Sequence, residues 1–397
     1  MDTPVPADSP LAPRTRRLFG IAAVGIGLVL ALGLAEVALR LFAPQPVGPS
    51  HLTLDADLGV IPKPGLSGTV RLPGIYTYTF HHDAHGFRET PTSTADSTAP
   101  EVLILGDSFA YGMGVEDDQT AASQLAGGLS ARGMDVRVTN AARIGAGPGY
   151  ALRLLQTRGR LWRPEVVVYL FCYNDYANLQ HATYFDVGED RTLTPVSPRD
   201  TPRQTKTRWS QLPGAYTLQS HSHVAGLVRR VGVGLFGERQ PGPSTFDLDT
   251  LNTPLAYSEP HRQWLNDVYM EALKAEVESR GGRFLAFYIP SAAEVAAFRR
   301  TGVPTEDQTA FTQMLSRQGI DGLAFTEPLA QTGEPIARLY YPEIHWRPLG
   351  LGVAAGAMLD PVQAAVCTQT PEAEGCATAP TAVRQIVEMR AGRGSGG

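Results

Sequence analysis

Ser108 stands in the stretch Glu101–Tyr111, EVLILGDSFAY, where an apolar run stops at a glycine and an aspartate precedes a serine. A serine hydroxyl is a weak nucleophile until a base takes its proton, and acyl transfer also needs N–H donors aimed at the oxyanion that forms. His345, in Tyr341-Pro342-Glu343-Ile344-His345-Trp346, can be that base. The backbone N–H groups of Ser108 and Gly145 and the side-chain amide of Asn174 can be the donors. A glycine suits the second place because substrate must approach its N–H closely. Each residue alone has a plainer reading. Ser108 can be the N-cap of the next helix, Gly145 a loop glycine, Asn174 a strand-end turn residue and His345 an ordinary, partly buried histidine. What separates the two readings is where the four fall relative to the elements around them.

Those elements alternate. Val102–Leu105, Val136–Thr139, Val166–Phe171, Phe284–Ile289 and a short Gly322–Phe325 read as strands, rich in β-branched and aromatic residues. Between and after them, 120–132, 151–161, 262–279, 305–318 and 348–359 carry helical spacing, with Trp264, Val268, Leu273 and Val277 on one stripe of the third. This rhythm predicts a parallel sheet covered on both faces. Ligands of such sheets bind beyond the carboxyl ends of the strands. Ser108 follows the first strand, Asn140 to Gly147 the second, and Asn174-Asp175 the third, while His345 precedes the last helix. Residues 76–88 predict a β-hairpin edge leading into the domain. The long polar, Pro-rich stretch 176–260, with one convincing helix at 222–236, reads as a lid or binding insertion.

The order Gly-Asp-Ser-Phe, a glycine in the loop after a second strand, Asn-Asp after a third and a late histidine resembles the SGNH/GDSL hydrolase family. The match runs from about Gly86-Phe87-Arg88 to Ala357, and the spacing from Asn140 through Gly145 to Pro164-Glu165 and Asn174-Asp175 is similar to that of membrane-anchored members. The resemblance implies a three-layer α/β/α sandwich with a five-stranded, flavodoxin-like parallel sheet. It also implies a serine esterase in which Ser108 is the nucleophile, Ser108, Gly145 and Asn174 form the oxyanion hole, and His345 is the base. The chain departs from the family in three places. Where an aspartate usually stands two or three residues before the histidine, this chain has Pro342 and Glu343; Glu343 can orient the ring on a longer arm or be a surface residue. Arg143 replaces a usual small residue and Arg347 a frequent asparagine. Both flank the expected crevice, either salt-bridged to the fold or binding an anionic group of the substrate.

The chain of 397 residues has a net charge of −5, which argues against nucleic acid as a partner. Its nine histidines and three cysteines show no metal-ligand spacing, so neither metal nor cofactor is expected. Leu18 to Ala35 contains no charge and is long enough to span a bilayer. It continues into the apolar EVALRLF, past any cleavage site, and reads as an uncleaved anchor rather than a signal peptide. Arg14, Arg16 and Arg17 before it predict a cytoplasmic N-terminus and an extracytoplasmic domain, periplasmic in a Gram-negative cell. Cys367 and Cys376 then lie in a compartment that permits a disulfide, and Cys172 reads as a buried packing residue.

The expected organisation is a cytoplasmic tail (1–17), an anchor (18–42), a linker and hairpin edge (43–98), the hydrolase domain (99–362, with the insertion 176–260) and a flexible tail (363–397). The expected activity is hydrolysis of an ester, an O-acetyl ester of a cell-envelope or secreted glycan, with acyl transfer to a polysaccharide or a non-catalytic binding module as alternatives.

Overall fold

The protein is described by a computed structural model covering residues 13–93, 96, 98–159, 162–175, 184–196, 211–212, 214–236 and 260–376. Most of the expected insertion and the expected tail beyond Cys376 lie outside the described residues.

Strands β1 (Leu52–Asp55) and β2 (Gly59–Pro62) pair antiparallel, as do β3 (Ser67–Leu72) and β4 (Tyr76–His81). The central sheet consists of β5 (Glu101–Gly106), β6 (Arg137–Asn140) and β7 (Val166–Cys172), with β10 (Arg283–Ile289) joining after a small hairpin of β8 (Phe185–Val187) and β9 (Leu193–Pro195). Its order is β6-β5-β7-β10, all parallel, with Val102 opposite Val166 and Val166 opposite Arg283. Every residue of β5 and β7 is buried, as near-continuous apolar strands covered on both faces require. The chain starts in the middle, steps outward to β6, then reverses to β7 and β10. That reversal opens a crevice between the carboxyl ends of β5 and β7.

The expected fifth strand is corrected. The sheet has four strands, and residues 321–324 run beside β10 only through isolated parallel bridges, Leu285 to Asp321 and Tyr288 to Ala324. Asp321, Gly322 and Ala324 are poor strand residues, and the Thr326–Gln331 helix follows at once. The hairpin is also shifted: β4 pairs back onto β3 in a sheet of its own. The edge contact to the central sheet is made by Arg88, bridged to His82 on one side and to Asn140 of β6 on the other.

The expected helices are present at Ala121–Ala131, Pro148–Arg158, His223–Phe236, Pro260–Glu278 and Glu306–Gln318. The last helix runs further than its pattern predicts, from Pro348 to Gln369 through Pro361. A proline normally stops a helix. Here Val362, Ala365 and Val366 beyond it are fully buried, and their packing outweighs the lost hydrogen bond. This helix lies along Ala121–Ala131. An additional helix, Ala292–Thr301, has a signal in the sequence after all: Ser291 and Glu294 form a capping box.

At the N-terminal side, Pro13–Phe42 is a single helix whose apolar window is wholly unburied; by length and composition it can cross a membrane. Pro348–Gln369 passes the same test of composition but is largely buried as a core helix. Cys367 and Cys376 are joined in a disulfide, and Cys172 is buried and free.

Candidate active site

β5 ends on Gly106, where a side chain could not fit: a Cβ there would lie 2.7 Å from Ala110 Cβ and 2.8 Å from the Leu170 carbonyl. The chain therefore turns at once into a single helical turn, Ser108–Tyr111. Its N-cap is Asp107, whose Oδ1 accepts from the Phe109 N–H at 2.8 Å. This corrects the plainer reading of Ser108, because the capping task belongs to its neighbour and the serine hydroxyl is released from it. Asp107 is completely buried, and burial raises its carboxyl pKa. The Phe109 N–H, the charge of His345 and the neighbouring Asn174 and Cys172 side chains oppose that rise.

His345 reaches this turn from 237 residues away, with Nε2 2.8 Å from Ser108 Oγ. Its ring packs against Phe109 at 4.9 Å between centroids, and Phe109 in turn meets Trp346 edge-on. The backbone around it is a tight loop. The Tyr341 N–H donates to the His345 carbonyl at 2.7 Å and the Ile344 N–H to the Tyr341 carbonyl at 3.0 Å. To close it, Ile344 adopts φ of +93°, a conformation that a β-branched residue enters only under strain. The flanking residues face one another as a result: Glu343 Oε1 lies 3.4 Å from His345 Nδ1, both side chains nearly buried. Neither Glu343 oxygen has a hydrogen-bond donor among the described residues. The 3.4 Å approach is an ion-pair distance, longer than an N–H···O hydrogen bond.

The remaining donors stand at the expected strand ends. The loop after β6 is tied to the nucleophile turn by the Arg143 N–H, which donates to the Gly106 carbonyl at 3.1 Å. Gly145 sits on it at φ of +65°, which a glycine adopts without strain. Asn174 follows β7, its Oδ1 buried and without a partner among the described residues. Asp175 beside it is a fold residue: its Oδ2 accepts from the Tyr169 hydroxyl at 2.9 Å and the Cys172 N–H at 3.1 Å.

Neither arginine forms a salt bridge among the described residues; both stack on tyrosines. The Arg143 guanidinium lies 4.0 Å from the Tyr150 ring centre, with Nη2 donating to the Gly145 carbonyl at 3.4 Å. Arg347 lies 4.4 Å over Tyr341 and donates from Nε to the Tyr340 carbonyl at 3.2 Å.

The sequence pattern does not point to Tyr76. It comes from β4, its ring meets Tyr341 at 5.3 Å, and burial, followed by the nearby Glu343 carboxylate, raises its phenol pKa. The hairpin thus forms one wall around the Glu343 loop. Arg88 fixes that wall to the nucleophile turn. It is wholly buried, pairs with Asp117 at 2.7 Å and lies over the rings of Tyr78 and Tyr111. Among the described residues no cluster of side chains suits a metal.

No family model and no curated protein matches the chain. Among solved structures it is similar to an alpha/beta hydrolase enzyme from the metagenome of Lake Arreo, Spain, at 14% identity and a TM-score of 0.38, over 69% of this chain and 97% of that one. It is also similar to an acetyl xylan esterase from Geobacillus stearothermophilus (12% identity, TM-score 0.37, 67% and 94% covered). A third is a lipase/acylhydrolase from Enterococcus faecalis (12%, 0.36, 66% and 95%). At such identities and scores the chemistry rests on the site itself.

Proposed function

We propose that this chain is a serine esterase of the SGNH type, built on a three-layer α/β/α domain and tethered to the outer face of a membrane by its N-terminal helix. The observation that carries the reading is the 2.8 Å contact of Ser108 Oγ with His345 Nε2 at the carboxyl end of a parallel sheet. In the reaction, Ser108 Oγ attacks the acyl carbon while Nε2 takes its proton. The ester oxygen leaves with that proton as an alcohol. Water then attacks the acyl-serine, giving its proton to Nε2, and Ser108 is restored as the acid departs. The Ser108 and Gly145 N–H groups and the Asn174 amide serve the oxyanion. Glu343 faces Nδ1 and stabilises the imidazolium that forms in each half-reaction.

The proposed substrate is an O-acetyl ester of a cell-envelope or secreted glycan, the class of ester that an enzyme fixed at the outer membrane face meets. Arg143 and Arg347, both without carboxylate partners among the described residues, favour a glycan that carries an anionic group. A fluorophosphonate probe should label the wild-type chain and not Ser108→Ala. Labelling that survives the substitution would place the nucleophile elsewhere. Release of acetate from acetylated glycans, against longer-chain esters, tests the substrate class.

A further inference from the structure

The large apolar side chains left exposed outside the N-terminal helix are not scattered. Among the described residues they are Leu212, Tyr216, Leu218, Leu227, Val228 and Val231 in one short segment, with only Val303 and Leu349 elsewhere. The segment forms two helices, Ala215–His221 and His223–Phe236. On the second, Val224, Leu227, Val228 and Val231 recur at helical spacing and make one stripe. Exposed Arg230 stands beside it, while Arg229 donates from Nη2 to the Pro46 carbonyl at 3.2 Å. A stripe of this kind, left bare, marks an interaction surface.

What covers it follows from where it is attached. The N-terminus of the His223–Phe236 helix is held by Glu36 of the apolar N-terminal helix. The Glu36 carboxylate accepts from the His223 N–H at 2.8 Å, the Val224 N–H at 2.9 Å and the Ser222 hydroxyl at 3.0 Å. Arg40, paired with Glu36 at 2.9 Å, donates to the His221 carbonyl at 2.8 Å, and the Gln45 N–H donates to His223 Nδ1 at 2.8 Å. A carboxylate at a helix N-terminus is well placed by charge and by hydrogen bonding. It also means that the charge-free run ends where this collar begins. From Leu18 to Ala35 the run measures roughly 27 Å at 1.5 Å per residue, close to one hydrocarbon thickness. Glu36 and Arg40 then fall at the headgroup level, and so does the segment they hold.

We infer that the two-helix segment Ala215–Phe236 lies in the interface of the bilayer that the N-terminal helix crosses. Its apolar stripe faces the acyl chains, and Arg230 meets anionic headgroups. The inference rests on the membrane-spanning reading of that helix. An interfacial helix docked on an anchor does what the anchor alone cannot: it fixes the tilt of the domain, and hence the direction in which the Ser108 crevice opens.

The test uses the full chain in liposomes of phosphatidylcholine with phosphatidylglycerol. Single cysteines carry an environment-sensitive fluorophore at Val228, at Val303 as a remote exposed control, and at Val29 inside the anchor. Cys172 is buried and Cys367 is bonded to Cys376, so the introduced thiol is the reactive one. The label at Val228→Cys should be blue-shifted and quenched severalfold more by shallow spin-labelled lipid than the label at Val303→Cys, and Arg230→Glu should weaken that quenching. A label at Val228 as wet as that at Val303, with Val29 quenched, overturns the inference and leaves the anchor intact. A label at Val228 that is dry but not quenched by lipid means that protein covers the stripe, and also overturns it. A label at Val29 that lipid does not quench removes the anchor and the inference together.

Discussion

The two halves of the candidate site are held in different ways. Ser108 sits two residues past β5, on a turn anchored to the sheet: Leu170 of β7 lies beneath Gly106, the loop after β6 is bonded to the Gly106 carbonyl, and Asp107 is the cap. His345 and Glu343 sit on a loop that closes on itself through strained Ile344 and leans on aromatic rings, Phe109 on one side and Tyr341 with Tyr76 on the other. The nucleophile is placed mainly by the backbone of the sheet, with Gly106 and the Asp107 cap at its end. The base is placed by a self-closed loop that depends on a strained residue and on aromatic packing. Substitutions around His345 should therefore disturb geometry before stability, and substitutions around β5 the reverse.

The largest expected effect falls on the pair itself. Ser108→Ala and His345→Ala should each lower turnover of an activated acetyl ester by about 10⁴-fold or more, and the double variant should lose little beyond either. Additive losses would mean that the two residues do not act as a unit. Next comes Glu343→Gln, which keeps the volume but can present an amide donor to Nδ1 and favour the wrong tautomer. Turnover should fall by roughly 10²–10⁴-fold with the unfolding midpoint nearly unchanged. A change under about threefold, less than half of the ~1.4 kcal/mol that a tenfold change represents, leaves a Ser-His dyad. Ile344→Gly sharpens the contrast at smaller scale. Relief of a positive φ, worth ~1–3 kcal/mol, offsets the lost side-chain contacts, so stability should hold while turnover drops by about tenfold or less as the loop loosens. A large loss of stability with unchanged turnover would show that the strain serves folding alone.

The same contrast explains what the sequence makes legible. The strands of the central sheet can be read because two-sided burial writes β-branched runs such as VVVYLF, and Ser108, Gly145 and Asn174 can be read because each follows such a run. His345 is legible only as a late histidine before a helix, since nothing local says which residue 237 positions earlier it meets. Tyr76 as a neighbour of Glu343, Arg88 as the clamp on the nucleophile turn and Glu36 as a cap for a distant helix are all long-range. No window of sequence contains both partners. Segment 321–324 reads as a strand only from its place in the βα rhythm; Asp321, Gly322 and Ala324 are poor strand residues, and it forms only bridges.

The smallest expected effect concerns the hairpin wall on the nucleophile side. His82 Nε2 lies 2.9 Å from the hydroxyl of Tyr111, the last residue of the nucleophile turn, and Nδ1 lies 2.9 Å from the Lys63 carbonyl. His51 packs on Phe80 nearby. Burial, with Arg88 also opposing a positive charge, lowers His82 to about 4 even though the Lys63 carbonyl, Asp83 and Asp117 favour the charged ring. Burial, then His82 and Arg88, lowers His51 to about 3. A histidine whose pKa is lower folded than unfolded binds more protons in the unfolded chain at intermediate pH. Its contribution is therefore complete above the ordinary value of 6.5 and is lost as pH falls toward the folded value. Each group should add a slope of up to ~1.4 kcal/mol per pH unit in that window. Denaturant unfolding of the full chain in detergent should show stability flat above about pH 7 and falling toward pH 5. His82→Gln, which can still bond Tyr111, should remove about half of the slope. A slope that the substitution leaves intact would take His82 out of the acid sensitivity, and the wall would hold the nucleophile turn by packing alone.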